Sequence, residues 1–431
     1  MTTLNQQSPD IDKGERSNPL KKFLSVLGPG LITGAADDDP SGISTYSVAG
    51  AAYGYSTLWI ALVTFPLMAA IQLMCARLGM VTGRGLGAAV RIHYPRWVLW
   101  GACSILVVAN VINVGADLAG MAEATELVTG FKTLIWVPIY AFFILGMLIW
   151  SSYTLIARVF KWLTIVLFAY VLTSFYAHIE WKYALEKTFV PQLEWSRGFL
   201  SVLVAILGTT ISPYLFFWQA AEEVEEERTK GRTAAVRKGA TVEELKSARA
   251  DTVTGMFFSN LIMYFIILTT AATLHAHGQV NITTAKQAAE ALRPLAGNGA
   301  YLLFTLGLIG TGMLGVPVLV GSCAYAVAEG AAWRGSMSDK PKRSRKFYAI
   351  MGIAMVLGLS LNYLGFNPVK MLFWSAVING LLAPPLIFLV VLLTSSQKVM
   401  GKYVNPGVLK YLGWITFVVM SAAAVGMILT S

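Results

Sequence analysis

Three consecutive aspartates interrupt an otherwise apolar stretch of the chain, in the run Gly34-Ala-Ala-Asp-Asp-Asp-Pro-Ser-Gly42. Ionisable side chains at membrane depth are costly, so they usually face a cavity and have a function there. Pro40 lacks a backbone donor and Gly42 is conformationally permissive, so we expect the helix to unwind at this point. An unwound, acidic segment within a membrane helix is typical of a cation-binding transporter.

A second interruption, Leu207-Gly-Thr-Thr-Ile-Ser-Pro-Tyr214, lies farther along the chain. A proline inside a helix leaves the carbonyl four residues earlier without its donor. Pro40 would therefore free the carbonyl of Ala36, and Pro213 would free that of Thr209. In lipid such carbonyls must find a partner. The partner is either a bound cation or, alternatively, water or a neighbouring hydroxyl.

The two interruptions together would supply an oxygen-rich site. Its donors are the carboxylate of Asp39, the carbonyls of Ala36 and Thr209, and the hydroxyls of Thr209, Thr210 and Ser212. Oxygen ligands suit hard ions such as Mg²⁺, Ca²⁺ and Mn²⁺. The alternative is that proline and glycine only kink the helices for packing. It fits the second interruption better than the first, because three carboxylates serve no packing purpose.

Other polar residues lie in apolar segments near these interruptions. Asp37 and Asp38 would line the access path or hydrogen-bond the break without touching the ion. Asp117 and Glu123, in the third apolar segment, would tune the field or order water around the ion. The alternative for Asp117 is a buried hydrogen-bonding carboxylate. Asn379 is either a cavity-facing amide or a polar contact between helices.

The composition is that of an integral membrane protein. The chain has 431 residues, 56% hydrophobic and 13% charged, whereas about 25% of a soluble domain is charged. About twenty apolar residues cross a bilayer as a helix. On that basis eleven spans are predicted, at 24–52 (broken), 56–78, 98–129, 132–151, 155–178, 199–221 (broken), 252–275, 299–330, 347–364, 369–394 and 409–430.

The loop charges and the positions of the two breaks predict the topology. Basic residues cluster before the first span and after the second, fourth, sixth, eighth and tenth, which places the N-terminus in the cytoplasm and the C-terminus outside. Breaks in spans one and six indicate two five-helix repeats of inverted topology, at 23–180 and 198–394, followed by an extra helix at 409–430. A polar cytoplasmic tail, residues 1–22, precedes this transmembrane domain of residues 23–431 and contains no cleavable signal peptide.

Other classes of protein fit poorly. The net charge of +10 is spread over short loops, which disfavours nucleic-acid binding, and the lipid bilayer is the expected environment. Neither a nucleophile–base pair nor a soluble output domain is recognisable, so an enzyme or sensor is not expected. No cofactor and no obligate protein partner are predicted. An organic-solute symporter using Na⁺ remains a rival.

The residues resemble the NRAMP divalent-metal transporter family over nearly the whole chain. The matching segments are Gly28–Gly30, Asp39-Pro40, Ala76–Arg84, the Ala-Asp-Leu-Ala around Asp117, Pro317–Ala326, Trp374–Pro384, Met400-Gly and Asn405. The resemblance implies a LeuT-type fold in which helices one and six are unwound, with a metal ion held between the unwound parts as the transported substrate.

Several positions depart from the family pattern. The usual Asp-Pro-Gly-Asn reads Asp39-Pro-Ser-Gly42 here, so the asparagine ligand is lost at Gly42. The usual Met-Pro-His reads Ser212-Pro-Tyr214, which replaces the methionine sulfur by a hydroxyl and the histidine by Tyr214. Ala376 stands where many members have glutamine. Gly120 replaces the usual carboxylate one turn after Asp117.

These departures change the expected substrate. Thioether sulfur favours softer transition metals, so its loss should weaken the preference for Mn²⁺ or Fe²⁺ over Mg²⁺. The sequence therefore resembles the NRAMP-related magnesium-transporter branch. We expect a secondary transporter in the cytoplasmic (inner) membrane that imports Mg²⁺, and also Mn²⁺, by alternating access, with proton coupling in doubt. A proton-coupled Mn²⁺/Fe²⁺ transporter is the alternative within the family.

Overall fold

The computed structural model describes residues 28–150, 165–229 and 240–430, and across these three ranges the regular structure is helical, without β-strands. The predicted tail at residues 1–22 and most of the first half of the fifth span lie outside the described residues. The main helices are α1 (Pro29–Asp37), α2 (Pro40–Tyr53), α3 (Trp59–Thr82), α4 (Leu86–His93), α5 (Arg96–Thr129), α6 (Thr133–Trp150), α7 (Phe168–Tyr176), α8 (Trp181–Phe189), α9 (Arg197–Thr210), α10 (Pro213–Thr229), α11 (Val242–Thr273), α12 (Ala300–Gly330), α13 (Arg345–Leu361), α14 (Pro368–Thr394) and α15 (Gly407–Leu429).

Nine helical segments of the described residues are long and apolar enough to cross a membrane. They correspond to nine of the eleven predicted spans. The first span is present as two shorter helices, α1 and α2, and the fifth is described only at its end, in α7. One boundary was wrong: α11 begins at Val242, about ten residues before the predicted start at 252, because Thr241 caps it and Glu244 completes a capping box.

The first break is narrower than the predicted interruption, the run Gly34–Gly42, and the helix is interrupted for a different reason. α1 ends at Asp37 and α2 begins at Pro40, so only Asp38 and Asp39 are non-helical. Pro40 is therefore the first residue of a new helix, where its missing N–H costs nothing. The carbonyl of Ala36 is free because α1 ends, and not because a proline interrupts a continuous helix.

The second break has the same form. α9 ends at Thr210 and α10 begins at Pro213, which leaves Ile211 and Ser212 between them. Both breaks thus place a helix C-terminus, with its partial negative charge, beside the N-terminus of the next helix. In each break the carbonyl end of one helix is therefore two residues away from the N–H end of the next.

The unbroken helix α11 runs parallel to both halves of the first broken helix. A Cβ on Gly30 would lie 2.6 Å from the Thr252 backbone, and a Cβ on Gly34 would overlap the backbone of Gly255. Beyond the break, a Cβ on Gly50 would overlap the Ile267 carbonyl. Such close approach is possible because these positions lack side chains, as in other closely packed membrane helices.

Polar contacts fix the two ends of this parallel pair. At one end, the buried Asp251 carboxylate of α11 accepts hydrogen bonds from the backbone N–H groups of Gly28 (2.8 Å), Gly30 (2.7 Å) and Leu31 (3.2 Å). At the other end, Nδ1 of His275 lies 2.8 Å from the carbonyl oxygen of Ala51. The N-terminus of α1 is therefore held by a charge of the sign that a helix N-terminus favours.

Two further helix pairs enclose the breaks. α5 and α12 are antiparallel: Asn110 Nδ2 donates to the Leu319 carbonyl (2.9 Å), and Thr305 Oγ1 donates to the Ala124 carbonyl (2.8 Å). α9 packs against α14 where a Cβ on Gly208 would overlap the backbone of Ala376 and Gly380. The breaks consequently lie in the middle of the bundle, away from lipid.

Replacing Asp251 by alanine should loosen the start of α1, because three backbone N–H groups lose a charged acceptor. Hydrogen–deuterium exchange of residues 28–31 is expected to accelerate while exchange in α2 stays unchanged. Glu243→Ala, which removes an exposed carboxylate from the first turn of the same helix, is the control. Unchanged exchange at 28–31 in Asp251→Ala would show that the helix start is held by other contacts.

Candidate metal site

Asp39 caps the second half of the first broken helix. Its Oδ1 accepts a hydrogen bond from the backbone N–H of Gly42 (2.8 Å) and another from the hydroxyl of Ser41 (2.7 Å). Aspartate before proline is a favourable helix start, since the carboxylate meets unpaired N–H groups and the positive end of the helix. Oδ2 of Asp39 is left to face other helices.

Asp117 of α5 reaches the same region. A Cβ built on Gly315 of α12 would lie 3.2 Å from Asp39 Cβ, 3.8 Å from Asp117 Oδ2 and 3.9 Å from the Ala36 carbonyl oxygen. The Asp117 carboxylate lies beside the backbone N–H of Ser41, but neither of its oxygens makes a hydrogen bond of good geometry. Two aspartates and a freed carbonyl therefore lie together beside Gly315.

Tyr214 joins the two broken helices. Its hydroxyl lies 3.1 Å from the Ala36 carbonyl oxygen and 3.2 Å from Asp39 Oδ2, and it can donate to either of them. The tyrosine is fully buried. The freed carbonyl of the first break and the free oxygen of Asp39 are thus both in contact with one hydroxyl from the second.

The hydroxyls of the second break bond mainly to their own helix. Ser212 Oγ donates to the Thr209 carbonyl (2.7 Å) and lies 3.1 Å from that of Gly208. Thr210 Oγ1 donates to the Ile206 carbonyl (2.7 Å). In this conformation each of the two freed carbonyls, those of Ala36 and Thr209, accepts a hydrogen bond from a hydroxyl of the protein.

Gly42 faces the second break across a short gap. A Cβ on Gly42 would lie 3.1 Å from Thr209 Oγ1, 3.4 Å from the Tyr46 ring and 3.5 Å from the Asp37 carbonyl oxygen. The hydroxyls of Thr209 and Tyr46 are neighbours, yet neither makes a hydrogen bond of good geometry. A larger residue at Gly42 would occupy this polar space.

The remaining two aspartates turn toward α11. Ser259 Oγ lies 2.7 Å from Asp37 Oδ2 and 3.3 Å from Asp38 Oδ1. Both carboxylates are buried, with 0% and 2% of their residue surface exposed. Asp37 and Asp38 therefore hydrogen-bond a neighbouring helix at the break, on a different side from the groups around Gly315.

Two predicted residues are not brought to the site by any observed contact. Glu123 Oε1 accepts the backbone N–H of Ala285 (3.0 Å), at the start of the short helix Ala285–Ala289. Asn379 of α14 is buried, and both of its amide atoms lack a hydrogen-bond partner. Gly120, at the position where the family pattern has a carboxylate, packs on α14. A Cβ there would lie 2.8 Å from Leu372 Cδ1.

The site is closed and built from oxygen. Asp39, Asp117, Thr209, Ser212 and Tyr214 are each 1% exposed or less. In the described ranges of the chain, no three His, Cys, Asp or Glu side chains converge on one point. A cation here would therefore be held by a pair of carboxylates supplemented by carbonyls, hydroxyls and retained water, which is the ligand chemistry of hard ions.

Two broken helices with apposed breaks around buried carboxylates define a LeuT-type membrane transporter fold. The sequence profile of the Nramp family, described as natural resistance-associated macrophage protein-like, matches residues 30–430. The chain belongs to this family, which confirms the resemblance inferred from its motifs.

Curated relatives and solved structures agree with this assignment. The chain is 27% identical to the divalent metal cation transporter MntH of Deinococcus radiodurans, over 94% of this chain and 89% of the relative. It is 25% identical to MntH of Caldanaerobacter subterraneus subsp. tengcongensis, over 91% and 90%. A crystal structure of the Eremococcus coleocola manganese transporter with an aromatic bis-isothiourea compound has a TM-score of 0.76 at 19% identity, covering 96% of this chain and 88% of that one.

A more distant structure has the same fold. Mhp1, a nucleobase-cation-symport-1 family transporter solved in a closed conformation, gives a TM-score of 0.57 at 14% identity, over 94% of this chain and 93% of that one. The likeness confirms the predicted LeuT-type architecture.

Sequence reasoning missed three residues at the breaks. Ser41 donates to Asp39, Ser259 donates to the other aspartates, and Gly315 leaves the space between Asp39 and Asp117. The spacing Gly255-x-x-x-Ser259 is a small-residue pattern that signals close helix packing. It does not identify the partner helix, because that depends on tertiary contacts far apart in sequence.

Replacing Tyr214 by phenylalanine should destabilise the protein by about 1–3 kcal/mol, because the Ala36 carbonyl and Asp39 lose a buried donor. Thermal unfolding in detergent, at neutral pH without added divalent ions, measures this. Tyr170→Phe is the matched control, since the Tyr170 hydroxyl is buried but makes no hydrogen bond of good geometry. Equal unfolding temperatures for the two variants would contradict the bridging role of Tyr214.

Proposed function

We propose that this protein is a divalent metal cation transporter that imports Mg²⁺, and also Mn²⁺, into the cytoplasm by alternating access. The observation that carries this proposal is the buried pair Asp39–Asp117 beside the Ala36 carbonyl, at the junction of two broken helices. The names of the curated relatives support divalent metal transport. The preference for Mg²⁺ rests on the residues of this chain.

The donor set supports a hard ion. Ser212 stands at the position where the family has methionine, and the groups around the break offer carboxylate, carbonyl and hydroxyl oxygen without sulfur. Sulfur ligands favour softer metals, whereas oxygen ligands suit Mg²⁺, Ca²⁺ and Mn²⁺. Removing the sulfur therefore lowers the advantage that a transition metal would otherwise have over Mg²⁺.

Hydration supports Mg²⁺ further. Mg²⁺ dehydrates reluctantly and usually keeps several waters when it binds protein. Gly42 and Gly315 place no side chain at the break, and the hydroxyls of Tyr214 and Thr209 can hydrogen-bond water bound to the ion. An ion that keeps part of its hydration shell needs fewer direct protein ligands, in accord with the loss of both the asparagine and the methionine.

We also propose that transport is not obligatorily coupled to protons. Tyr214 replaces the family's histidine, and Gly120, packed on Leu372, replaces its carboxylate. Glycine has no ionisable side chain and tyrosine stays protonated at neutral pH, so neither replacement can take up and release a proton in each transport cycle. The membrane potential, negative inside, is then sufficient to drive a divalent cation inward.

The orientation proposed from the loop charges indicates which end of the closed structure faces the cytoplasm. With the N-terminus in the cytoplasm, the Gly28–Leu31 end of α1 faces inward, and the hydrogen bonds that its backbone N–H groups donate to Asp251 close the inner side. Release of the ion to the cytoplasm then requires these bonds to break. The C-terminus would lie outside the cytoplasmic membrane.

Asp39→Ala is expected to abolish divalent cation influx, because it removes the only charged group of the first break that faces both Asp117 and Tyr214. The measurement is Mn²⁺ influx into proteoliposomes at fixed pH, with and without millimolar Mg²⁺. Wild-type influx should be suppressed by Mg²⁺ and unchanged by an imposed pH gradient. Glu123→Gln, on the same helix as Asp117 but distant in contacts, is the control and should retain influx.

Other outcomes would exclude particular parts of the proposal. Mn²⁺ influx that does not change in excess Mg²⁺ would contradict the proposed preference for Mg²⁺. Faster Mn²⁺ influx under an inward-directed proton gradient would support the alternative, a proton-coupled Mn²⁺/Fe²⁺ transporter. Uptake of an organic solute that needs no divalent metal would favour an organic-solute symporter of the same fold.

Ser212→Met should shift selectivity toward softer ions. The thioether would return sulfur to the second break, so Cd²⁺ and Mn²⁺ should compete better against Mg²⁺, by roughly tenfold in relative affinity. Competition of each ion with Mn²⁺ influx measures the shift. Ser212→Ala, which removes the hydroxyl without adding sulfur, is the control and should leave the Cd²⁺/Mg²⁺ ratio close to wild type.

A further inference from the structure

A basic surface lies where the connection from α12 enters α13. Its side chains, all exposed, are Lys340, Lys342, Arg343, Arg345 and Lys346. Within the described part of the chain, none of them forms an ion pair. The acidic residue of the same connection, Asp339, lies instead 3.9 Å from Arg334. This basic loop, residues 340–346, therefore presents charge that the described residues do not neutralise.

The connection that carries the basic loop is tied to two other helices. Ser336 Oγ donates to Glu225 Oε2 of α10 (2.6 Å). The backbone N–H of Met337 donates to the hydroxyl of Tyr325 in α12 (3.2 Å). The positive-inside rule requires only the charge of a loop and not its folding. Membrane topology alone therefore does not account for this arrangement.

Helix stability does not account for the charges either. Arg345 and Lys346 stand in the first turn of α13, which has no acidic residue. Cations are unfavourable at a helix N-terminus, because the unpaired N–H groups there carry partial positive charge. Ser344 precedes the helix but does not cap it, since its hydroxyl donates to Asp339 Oδ2 (2.9 Å). An anion from outside the protein would stabilise this end of α13.

The basic loop adjoins a lipid-facing stripe of α13, which is one of the candidate membrane spans. Ile353, Val356 and Leu357 are exposed. They lie on the helix face of Lys346, seven, ten and eleven residues after it. A positive charge at the end of an exposed apolar stripe is complementary to the two parts of an anionic phospholipid, its headgroup and its acyl chains.

Exposed tryptophans lie at the same end of the bundle. Lys346 Nζ is 4.5 Å from the centroid of the Trp333 ring, within the range of a cation–π contact, and Trp333 is 40% exposed. The start of α5 packs on the end of α12, because a Cβ on Gly330 would lie 3.5 Å from Leu99 Cδ1. Trp97, near that start, is 78% exposed. Tryptophan is enriched at membrane–water interfaces, so the basic loop lies at the level of lipid headgroups.

We propose that the basic loop, with Trp333 beside it, binds the headgroup of an anionic phospholipid in the leaflet that it faces. Clusters of about four to eight Lys and Arg next to a membrane span are typical of anionic-lipid binding. The guanidinium groups of Arg343 and Arg345 match the oxygens of a phosphate diester bidentately. With the orientation proposed from the loop charges, this leaflet is the cytoplasmic one. The inference goes beyond the proposed function and does not depend on which ion is transported.

The test is the binding of phosphatidylglycerol to the purified full-length protein in detergent, measured by native mass spectrometry with phosphatidylcholine as the neutral probe. Wild type should bind phosphatidylglycerol in preference to phosphatidylcholine. Lys342→Gln/Arg343→Gln/Lys346→Gln should bind it roughly a hundredfold more weakly, because each basic residue near an anionic surface contributes about fivefold.

The matched control is Lys398→Gln/Lys402→Gln/Lys410→Gln. It removes the same number of charges from exposed positions between α14 and the first turns of α15. The loop charges place these positions on the same side of the membrane. The control should keep an affinity for phosphatidylglycerol close to that of wild type, because its lysines lie outside the basic loop. Monodisperse elution and a wild-type unfolding temperature without added lipid establish that each variant is folded.

Three outcomes would overturn the proposal. Equal losses of affinity in the two triple variants would show that the lipid responds only to net charge. Equal binding of phosphatidylcholine and phosphatidylglycerol by wild type would show that the headgroup charge is not recognised. Displacement of phosphatidylglycerol by millimolar inorganic phosphate, at constant ionic strength, would identify a site for free phosphate and not for a lipid.

Discussion

The parallel contact of α11 with both halves of the first broken helix is the constraint on which the other features depend. A two-residue gap between helices has no rigidity of its own, so the relative position of α1 and α2 must be set from outside. The glycines at 30, 34 and 50 allow α11 to approach the backbone of both halves. Ser259 lies at the level of the gap, and it therefore orients the aspartates there.

The two breaks follow one local rule but differ in charge. In each, two residues separate the end of one helix from the proline that begins the next. The residue before the proline is Asp39 in the first break and Ser212 in the second, so only the first carries a formal charge. The second break contributes backbone dipoles and hydroxyl groups. Among these hydroxyls, that of Tyr214 contacts the first break. Attraction of a cation therefore comes from α1, α2 and α5, while α9 and α10 complete the enclosure.

The sequence predicted the membrane class, the inverted architecture and both breaks, because apolar length and proline position are local properties. It overestimated the length of the breaks, since Asp39-Pro40 can equally interrupt a helix or cap a new one, and only the capping bond to Gly42 decides. It did not predict the partners Ser259 and Gly315. Their contacts join residues about two hundred or more positions apart, and register over such separations depends on the packing of the whole bundle.

The shortness of α1 has a mechanical consequence. Its nine residues make a rod about 14 Å long at 1.5 Å per residue, with its pivot at Asp38 and its far end pinned by Asp251. A swing of about 30° about that pivot would displace the far end by about 7 Å on this geometry, enough to admit a hydrated ion, while the pivot end would move very little. A swing of this kind would open a wide passage at the Asp251 end of α1 and would leave the carboxylates of the gap almost in place.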